Sequence, residues 1–255
     1  MNLVALRVIP SSVGTIQVGQ RFRASDPEAD ELIKAGDAAP AGMLAWDGLR
    51  WPQSMVVILA SGPSLTVEQC ETVRAWRAAA PSRYVIAINT TFKRAPWADV
   101  LYACDAAWWK KYLPEVQAGF AGELWSQDKE AARQFGVHLI PSLRLPGLCT
   151  QPGFIHQGGN SGYQAINLAV QAGAMRIALL GYDMNDRAGK HWHGKYTNGL
   201  PNTGSHLFLE WIRNFERLAS DLVKAGVEVV NCTSSSALTS FRTADLCLHL
   251  NGNDK

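Results

Sequence analysis

Two glycine-containing segments, far apart in the chain, have the composition of phosphate-binding bends. The first is Ser61-Gly62-Pro63-Ser64, which follows the apolar run VVILA. The second is Gly158-Gly159-Asn160-Ser161-Gly162, which opens a stretch rich in Ala, Ile, Leu and Val. Glycine lets a backbone approach a ligand closely, and the free amides at a helix start attract anions. We expect both bends to lie at one edge of a sheet and to bind a phosphoryl group together, although the first bend alone also fits an ordinary strand-to-helix turn.

The bends do not match the common nucleotide motifs. The glycines of residues 158–162 lack the G-x-G-x-x-G spacing after a first strand, and no lysine follows them as in a Walker loop. Conventional NAD and ATPase sites are therefore disfavoured.

Polar residues also follow three further apolar runs. Asn89 follows YVIAI, Asp105 follows VLYAC, and Asp183 follows RIALLG and a tyrosine. Asn and Asp carry donors and acceptors that can select a ribose or the edge of a base. Either residue type alone is more typical of a turn. Together with the bends, these residues predict that Asn89 and Asp105 orient a nucleoside and that Asp183 lines the same site.

A long polar loop, residues 183–206, contains three of the six histidines. Loops of this length in a compact domain are typically lids or binding loops. His191 and His193 could bind a metal with Asp183 or Asp186, although a His-x-His pair alone is weak evidence. His193 is also a candidate catalytic residue.

His206 is the candidate general base. It lies at the start of a predicted helix, residues 205–224, where a neutral imidazole could accept a proton. The simpler alternative is a hydrogen bond that only starts the helix. Lys190, Lys195 and Tyr196 precede it and could close over a departing phosphate and stabilise its charge.

The elements that must position these residues alternate along the chain. Apolar runs beginning at residues 55, 84, 100, 138, 176 and 227 predict strands, and helices are predicted over 66–79, 105–112, 128–135, 160–173 and 205–224. Apolar strands separated by helices are typical of a mainly parallel sheet covered on both faces. We predict an α/β, Rossmann-like domain over residues 46–255. Its ligand should lie beyond the carboxyl ends of the strands.

Residues 1–45 are predicted to form a separate small α+β module. LVALRVI and GTIQVGQRF are predicted strands around a turn, and SDPEADELIKAG has the cap, acidic first turn and final glycine of a helix. DAAPAG follows as a linker. The module either packs on the main domain or docks on a partner.

The composition disfavours several classes of protein. The chain has 255 residues, of which 47% are hydrophobic and 18% charged, as in an ordinary globular protein. A net charge of +2 lacks the basic excess expected for duplex nucleic acid. Five cysteines without a C-x-x-C pair disfavour structural zinc and a disulfide framework. With no signal peptide and no apolar run of membrane-spanning length, we expect a soluble, cytoplasmic protein.

The order of the motifs resembles that of the bacterial lipooligosaccharide sialyltransferases. The resemblance rests on GPSL, on the asparagine after the second core strand, on NSGYQAINLAVQAGAMRIALLGYDM, and on GSHLFLEWIRNFERLASDLVKAGVEVVNCTSSSAL. It covers about residues 55–238 and extends to a group containing the flagellin motility accessory factors and the archaeal hydroxymethyldihydropterin diphosphokinase. The first 45 residues lie outside it, and they and KHWHG resemble parts of phage-encoded proteins.

The resemblance implies a site for a cytidine nucleotide sugar. It implies contacts from Ser61, Gly62, Ser64, Asn89, Ser161 and Gly162. It also implies His206 as the base, Tyr196 as a hydroxyl that assists the leaving phosphate, and no metal. The sequence departs from the family in two places: Ala60-Ser61 replaces a Gly-Asn pair, and the loop KHWHGKY differs.

Three functional hypotheses follow. The leading one is a glycosyltransferase that moves a sugar from a nucleotide sugar to the hydroxyl of a small-molecule or glycan acceptor, with no cofactor. The second is Mg-dependent diphosphoryl transfer from ATP to a small hydroxymethyl acceptor, with Asp105, Asp183 and Asp186 on the metal side. The third is a non-catalytic nucleotide-binding phage module. Assembly into a homo-oligomer stays open.

Overall fold

The apolar runs form strands, and the stretches between them form helices, in a computed structural model that describes residues 1–12, 14–17, 20–35, 37–40, 50–197, 199–202 and 204–252. The strands are β1 (Asn2–Ala5), β2 (Ile9–Ser11), β3 (Gly14–Ile16), β4 (Arg21–Arg23), β5 (Ala38–Pro40), β6 (Ser54–Leu59), β7 (Arg83–Ile88), β8 (Val100–Tyr102), β9 (Glu123–Ser126), β10 (His138–Leu139), β11 (Ser142–Leu143), β12 (Ile155–His156), β13 (Ala174–Leu180), β14 (Glu228–Asn231) and β15 (Arg242–Thr243). The helices are α1 (Asp26–Ala35), α2 (Val67–Ala78), α3 (Ala106–Gly119), α4 (Lys129–Phe135), α5 (Ser161–Ala172), α6 (Leu207–Lys224) and α7 (Leu246–Leu250), with a 3-10 helix over Asn89–Lys93.

The main sheet has eight strands in the order β10-β9-β8-β7-β6-β13-β14-β15. All neighbouring pairs in it are parallel. Every residue of β6 is buried, as expected of a strand with helices on both faces. The predicted α/β, Rossmann-like fold is confirmed.

The strand order places a ligand site between β6 and β13. From β6 the chain moves outward through β7, β8, β9 and β10, and then returns to place β13 on the other side of β6. In open parallel sheets, ligands bind beyond the carboxyl ends of the strands at such a reversal. Ala60 and Gly181 are the first residues beyond these two strands.

Helices cover the sheet on both faces. Cys70, Val73 and Val116 of α2 and α3 pack in one core with Val57 and Leu59. Ile166, Phe215 and Leu218 of α5 and α6 pack in the other core with Val56 and Ile58. All of Ser161–Ala169 is buried, which confirms the sequence prediction that this helix is enclosed nearly all round.

The N-terminal segment differs from its prediction in detail. The two predicted strands are four shorter ones, and α1 agrees with the predicted helix. The predicted linker is wrong in part, because Ala38–Pro40 pairs with β1 and completes an antiparallel sheet of order β4-β1-β5. Pairing with β1 outweighs the turn-like composition of these residues. Gly36 and the predicted boundary between residues 45 and 46 lie outside the described residues.

Several elements of the main domain differ from prediction: α3 is longer than predicted, and the short elements β9, β11, β12, β15 and α7 are not predicted. α3 continues past residue 112, through Pro114, to Gly119. Proline removes a helical hydrogen bond, but buried Tyr112 and Val116 on either side keep the helix packed. β9 is not predicted because its apolar content is low, and it is stabilised between β8 and β10. None of the helices in the described part of the chain has both the length and the apolar character of a membrane span.

Candidate active site

A cavity of about 470 Å³ lies at the carboxyl ends of β6, β7, β8 and β13. α5, the start of α6 and the long polar loop complete its walls. Both glycine bends line it. The predicted site residues on its wall are Ser61, Gly62, Asn89, Asp105, Gly159, Asn160, Ser161, Gly162, Asp183 and Tyr196. Pro63, Ser64, His193 and His206 are not among its lining residues.

The first bend is anchored to the end of β13. The Gly62 amide donates to the Gly181 carbonyl at 3.0 Å. The Ser64 amide and hydroxyl donate to the Asp183 carboxylate at 3.1 and 2.8 Å. A Cβ atom on Gly62 would overlap both the Asp183 carboxylate and the Gly181 carbonyl oxygen. Ser64 therefore stabilises the bend from behind the cavity wall, and Gly62 is the residue that permits this close approach.

Asp183 has an unusual electrostatic environment. Burial raises the pKa of its carboxyl above the ordinary value, and the hydrogen bonds from Ser64 oppose this shift only in part. The sequence correctly predicts that Asp183 lies on the cavity wall. It does not predict that Asp183 binds Ser64 and so holds the first bend in place.

The second bend forms the start of α5. Gly158 and Gly159 have left-handed φ angles of 52° and 86°, which glycine adopts without strain. The Asn160 Oδ1 atom accepts from the Tyr163 amide at 2.9 Å and caps the helix. Ser161 and Gly162 open the helix, so their amides have no partner within it. The bend thus presents a positive helix end to the cavity.

Two amide side chains on the cavity wall have buried polar atoms without a hydrogen-bond partner among the described residues. They are the Asn89 Oδ1 atom and the Asn160 Nδ2 atom. Asn89 also has a φ of 49°, an uncommon conformation that asparagine tolerates better than most residues. One unpaired acceptor and one unpaired donor could bind complementary groups of a ligand.

The polar loop folds back over the first bend. The Trp192 amide donates to the Ser61 carbonyl at 3.0 Å, and its indole Nε1 donates to the Thr91 hydroxyl at 3.3 Å. The Arg94 guanidinium lies over the Trp192 ring, 4.0 Å from its centroid. The Tyr196 hydroxyl is 3.0 Å from the Thr90 hydroxyl. Burial raises the pKa of the Tyr196 hydroxyl. Through these contacts the loop forms one wall of the cavity.

The histidines of the loop differ in their positions. His191 lines the cavity, with its Nδ1 atom 3.1 Å from the Ser61 hydroxyl. His193 lies outside the lining set, and its ring stacks on His191 with centroids 5.0 Å apart. His206 is exposed at the start of α6, over Gly204, and makes no capping hydrogen bond through its side chain. The structure therefore brings His191, rather than His206 or His193, to the cavity.

The metal hypothesis for His191 and His193 gains no support from their geometry. Within the ranges that the structure describes, no three His, Cys, Asp or Glu residues are grouped to hold a metal ion.

His193 makes stability dependent on pH. Burial, followed by the neighbouring His191, lowers its pKa from the ordinary 6.5 to about 4. Since the folded value lies below the unfolded one, this contribution is complete above pH 6.5 and is lost as the pH falls toward 4. Between pH 7.5 and 5, we expect the free energy of unfolding of wild type to fall by about 1 kcal/mol more than that of His193→Gln, a figure reduced for the partial exposure of the ring. Urea unfolding at both pH values measures the difference, and an equal loss in wild type and variant would contradict it. His138→Gln, at an exposed histidine on β10, is the control.

No protein-family model matches the chain, and no curated protein matches it either. The resemblance to the sialyltransferases therefore rests on the quoted motifs alone.

Proposed function

We propose that the chain is a transferase that binds a nucleotide-activated donor and moves its sugar to an acceptor hydroxyl. The observation that supports this most is the meeting of the two bends in one cavity at the β6–β13 reversal. The leaving phosphate would lie between the first bend and the start of α5. There, backbone amides and the helix dipole stabilise negative charge.

Positive charge on the wall supports a phosphate at this position. Lys190 lines the cavity together with the amides of the bends. This arrangement can stabilise the charge that develops on a departing nucleotide without a metal. The cavity volume also falls within the range of small-molecule sites, roughly 300–1,000 Å³.

A further part of the wall suits the acceptor. It is formed by apolar side chains of the loop and of α6: Leu200, Pro201, Leu207, Phe208 and Trp211. Phe208 and Trp211 pack edge to face with ring centroids 5.7 Å apart. A sugar or other ring with an apolar face can pack against such a surface. The cavity wall therefore combines polar groups that can bind the phosphate with an apolar surface that can contact the group that receives the sugar.

The Mg-dependent alternative gains no comparable support. It would use Asp183, but both carboxylate oxygens of Asp183 already accept hydrogen bonds from Ser64.

A nucleotide-sugar donor fits a cytoplasmic protein, and we propose that location as well.

Nucleotide titration tests the proposal. We expect CMP, CDP, UDP, GDP or ATP to release or absorb heat on binding in EDTA, with one site per chain. The same nucleotide should raise the melting temperature, because at 100 times Kd a ligand stabilises the folded state by about 2.7 kcal/mol. No heat and no thermal shift from all five nucleotides would remove the proposal.

A further inference from the structure

Two consecutive residues of the loop, His191 and Trp192, both contact Ser61 of the first bend. The His191 Nδ1 atom is 3.1 Å from the Ser61 hydroxyl, and the next residue, Trp192, donates its amide to the Ser61 carbonyl. Ser61 is itself buried at 8% exposure. Thus the imidazole ring and its backbone are both positioned by one residue of the bend.

The surroundings of His191 fix its ring further. His193 stacks on one side with an interplanar angle of 9°, and the Tyr196 ring centroid lies 5.8 Å away. Burial, and then the charge of Lys190, lower the pKa of His191, while a hydrogen bond with the Ser61 backbone opposes this shift. The ring is therefore neutral near pH 7 and can accept a proton.

The hydrogen bond between the Ser61 hydroxyl and Nδ1 fits two tautomers of His191, and one of them leaves Nε2 basic. When Nδ1 carries the proton and donates it to the Ser61 oxygen, Nε2 keeps its lone pair. In this tautomer the histidine on the cavity wall has a free basic atom. His206, by contrast, is exposed and outside the lining set.

We propose that His191 is the catalytic base of the transfer and that Ser61 is its positioning residue. This inference rests on the function proposed above. The acceptor hydroxyl gives its proton to the His191 Nε2 atom, and its oxygen forms a bond to the anomeric carbon of the donor sugar. The bond between that carbon and the phosphate oxygen breaks, and its electron pair leaves with the nucleotide. The imidazolium then loses the proton to solvent.

Nucleotide release tests the assignment. The donors are CMP-N-acetylneuraminic acid, UDP-glucose, UDP-N-acetylglucosamine and GDP-mannose, with water or lactose as acceptor. We expect His191→Asn, which retains a hydrogen-bonding amide near the Nδ1 position, to lower kcat by about 100-fold or more. Its affinity for the free nucleotide should stay within about threefold. His138→Asn, outside the cavity, serves as the matched control and should behave as wild type.

The positioning role of Ser61 has its own readout. In wild type, kcat should fall at low pH because His191 becomes protonated, and we call this fall the acid limb. The acid limb should be absent in His191→Asn. Ser61→Ala should move the limb to lower pH, because it removes the hydroxyl oxygen that accepts from Nδ1 in this tautomer and so favours the charged ring. Ser61→Thr, which keeps the hydroxyl, should return the acid limb to its wild-type pH. A role of Ser61 in folding alone would not move the limb.

The other outcomes separate this inference from the proposed function. Full turnover by His191→Asn, or a loss of turnover confined to His206→Asn, would overturn the assignment of His191. Nucleotide binding without release from any donor would overturn it as well. Absence of nucleotide binding by the wild-type protein would instead overturn the proposed function.

Discussion

Gly62→Ala is expected to destabilise the protein by about 3 kcal/mol, the cost of severe overpacking. The new Cβ atom would overlap the Asp183 carboxylate and the Gly181 carbonyl oxygen. The carboxylate could turn away only by giving up its hydrogen bonds from Ser64. The carbonyl cannot move freely, because it accepts the Gly62 amide beside the paired strands β6 and β13. Urea unfolding measures the loss, and nucleotide affinity should fall with it.

Gly119→Ala is the matched control. Gly119 ends α3, and a Cβ atom there would meet nothing within 4 Å. Alanine in a helix is favoured over glycine by up to about 1 kcal/mol, so this variant should be as stable as wild type or slightly more so. If Gly62→Ala were no less stable than Gly119→Ala, the close packing of the first bend against Asp183 would be wrong.

Asn160→Asp is expected to weaken nucleotide binding by about 100-fold while leaving the fold intact. The substitution keeps the shape of the side chain and the oxygen that caps α5 through the Tyr163 amide. Aspartate is as good a cap as asparagine, and its charge suits a helix start. The replaced Nδ2 atom has no partner among the described residues. The new charge would nevertheless repel a phosphate about 5 Å away by roughly 3 kcal/mol at an effective dielectric constant of 20.

Asn251→Asp provides the same change of net charge outside the cavity. Asn251 is exposed at the end of α7. Calorimetric titration of both variants with the nucleotide that wild type binds should show a loss only for Asn160→Asp. Equal affinities would indicate that phosphate does not lie at the start of α5. Thermal unfolding of Asn160→Asp without ligand verifies that the fold is retained.

Much of the main domain could be predicted from local patterns. The run 55–60 became β6 and the stretch 160–173 became α5, because buried parallel strands and an enclosed helix both require continuous apolar sequence. Less apolar elements were missed. β9 depends on its neighbours in the sheet, and β5 depends on pairing with β1 across more than thirty positions of the chain.

Local sequence is enough to predict which residues lie at the rim of the sheet. Polar residues and glycines directly after apolar strands must emerge at the carboxyl edge of a parallel sheet, and so Ser61, Asn89, Asp105 and Asp183 all line one cavity. This follows from the alternation of elements alone. The identity of these residues as ligand contacts remains a prediction.

The histidine that reaches the cavity, and the reason why Gly62 is required, could be identified only from contacts between distant parts of the chain. His191 and Ser61 are separated by 130 positions, and Asp183 and Ser64 by 119. A polar loop has no hydrophobic periodicity to specify where its side chains lie. Their positions result from hydrogen bonds and ring contacts that depend on β13 lying beside β6, and such contacts between distant segments leave no signal in the local sequence.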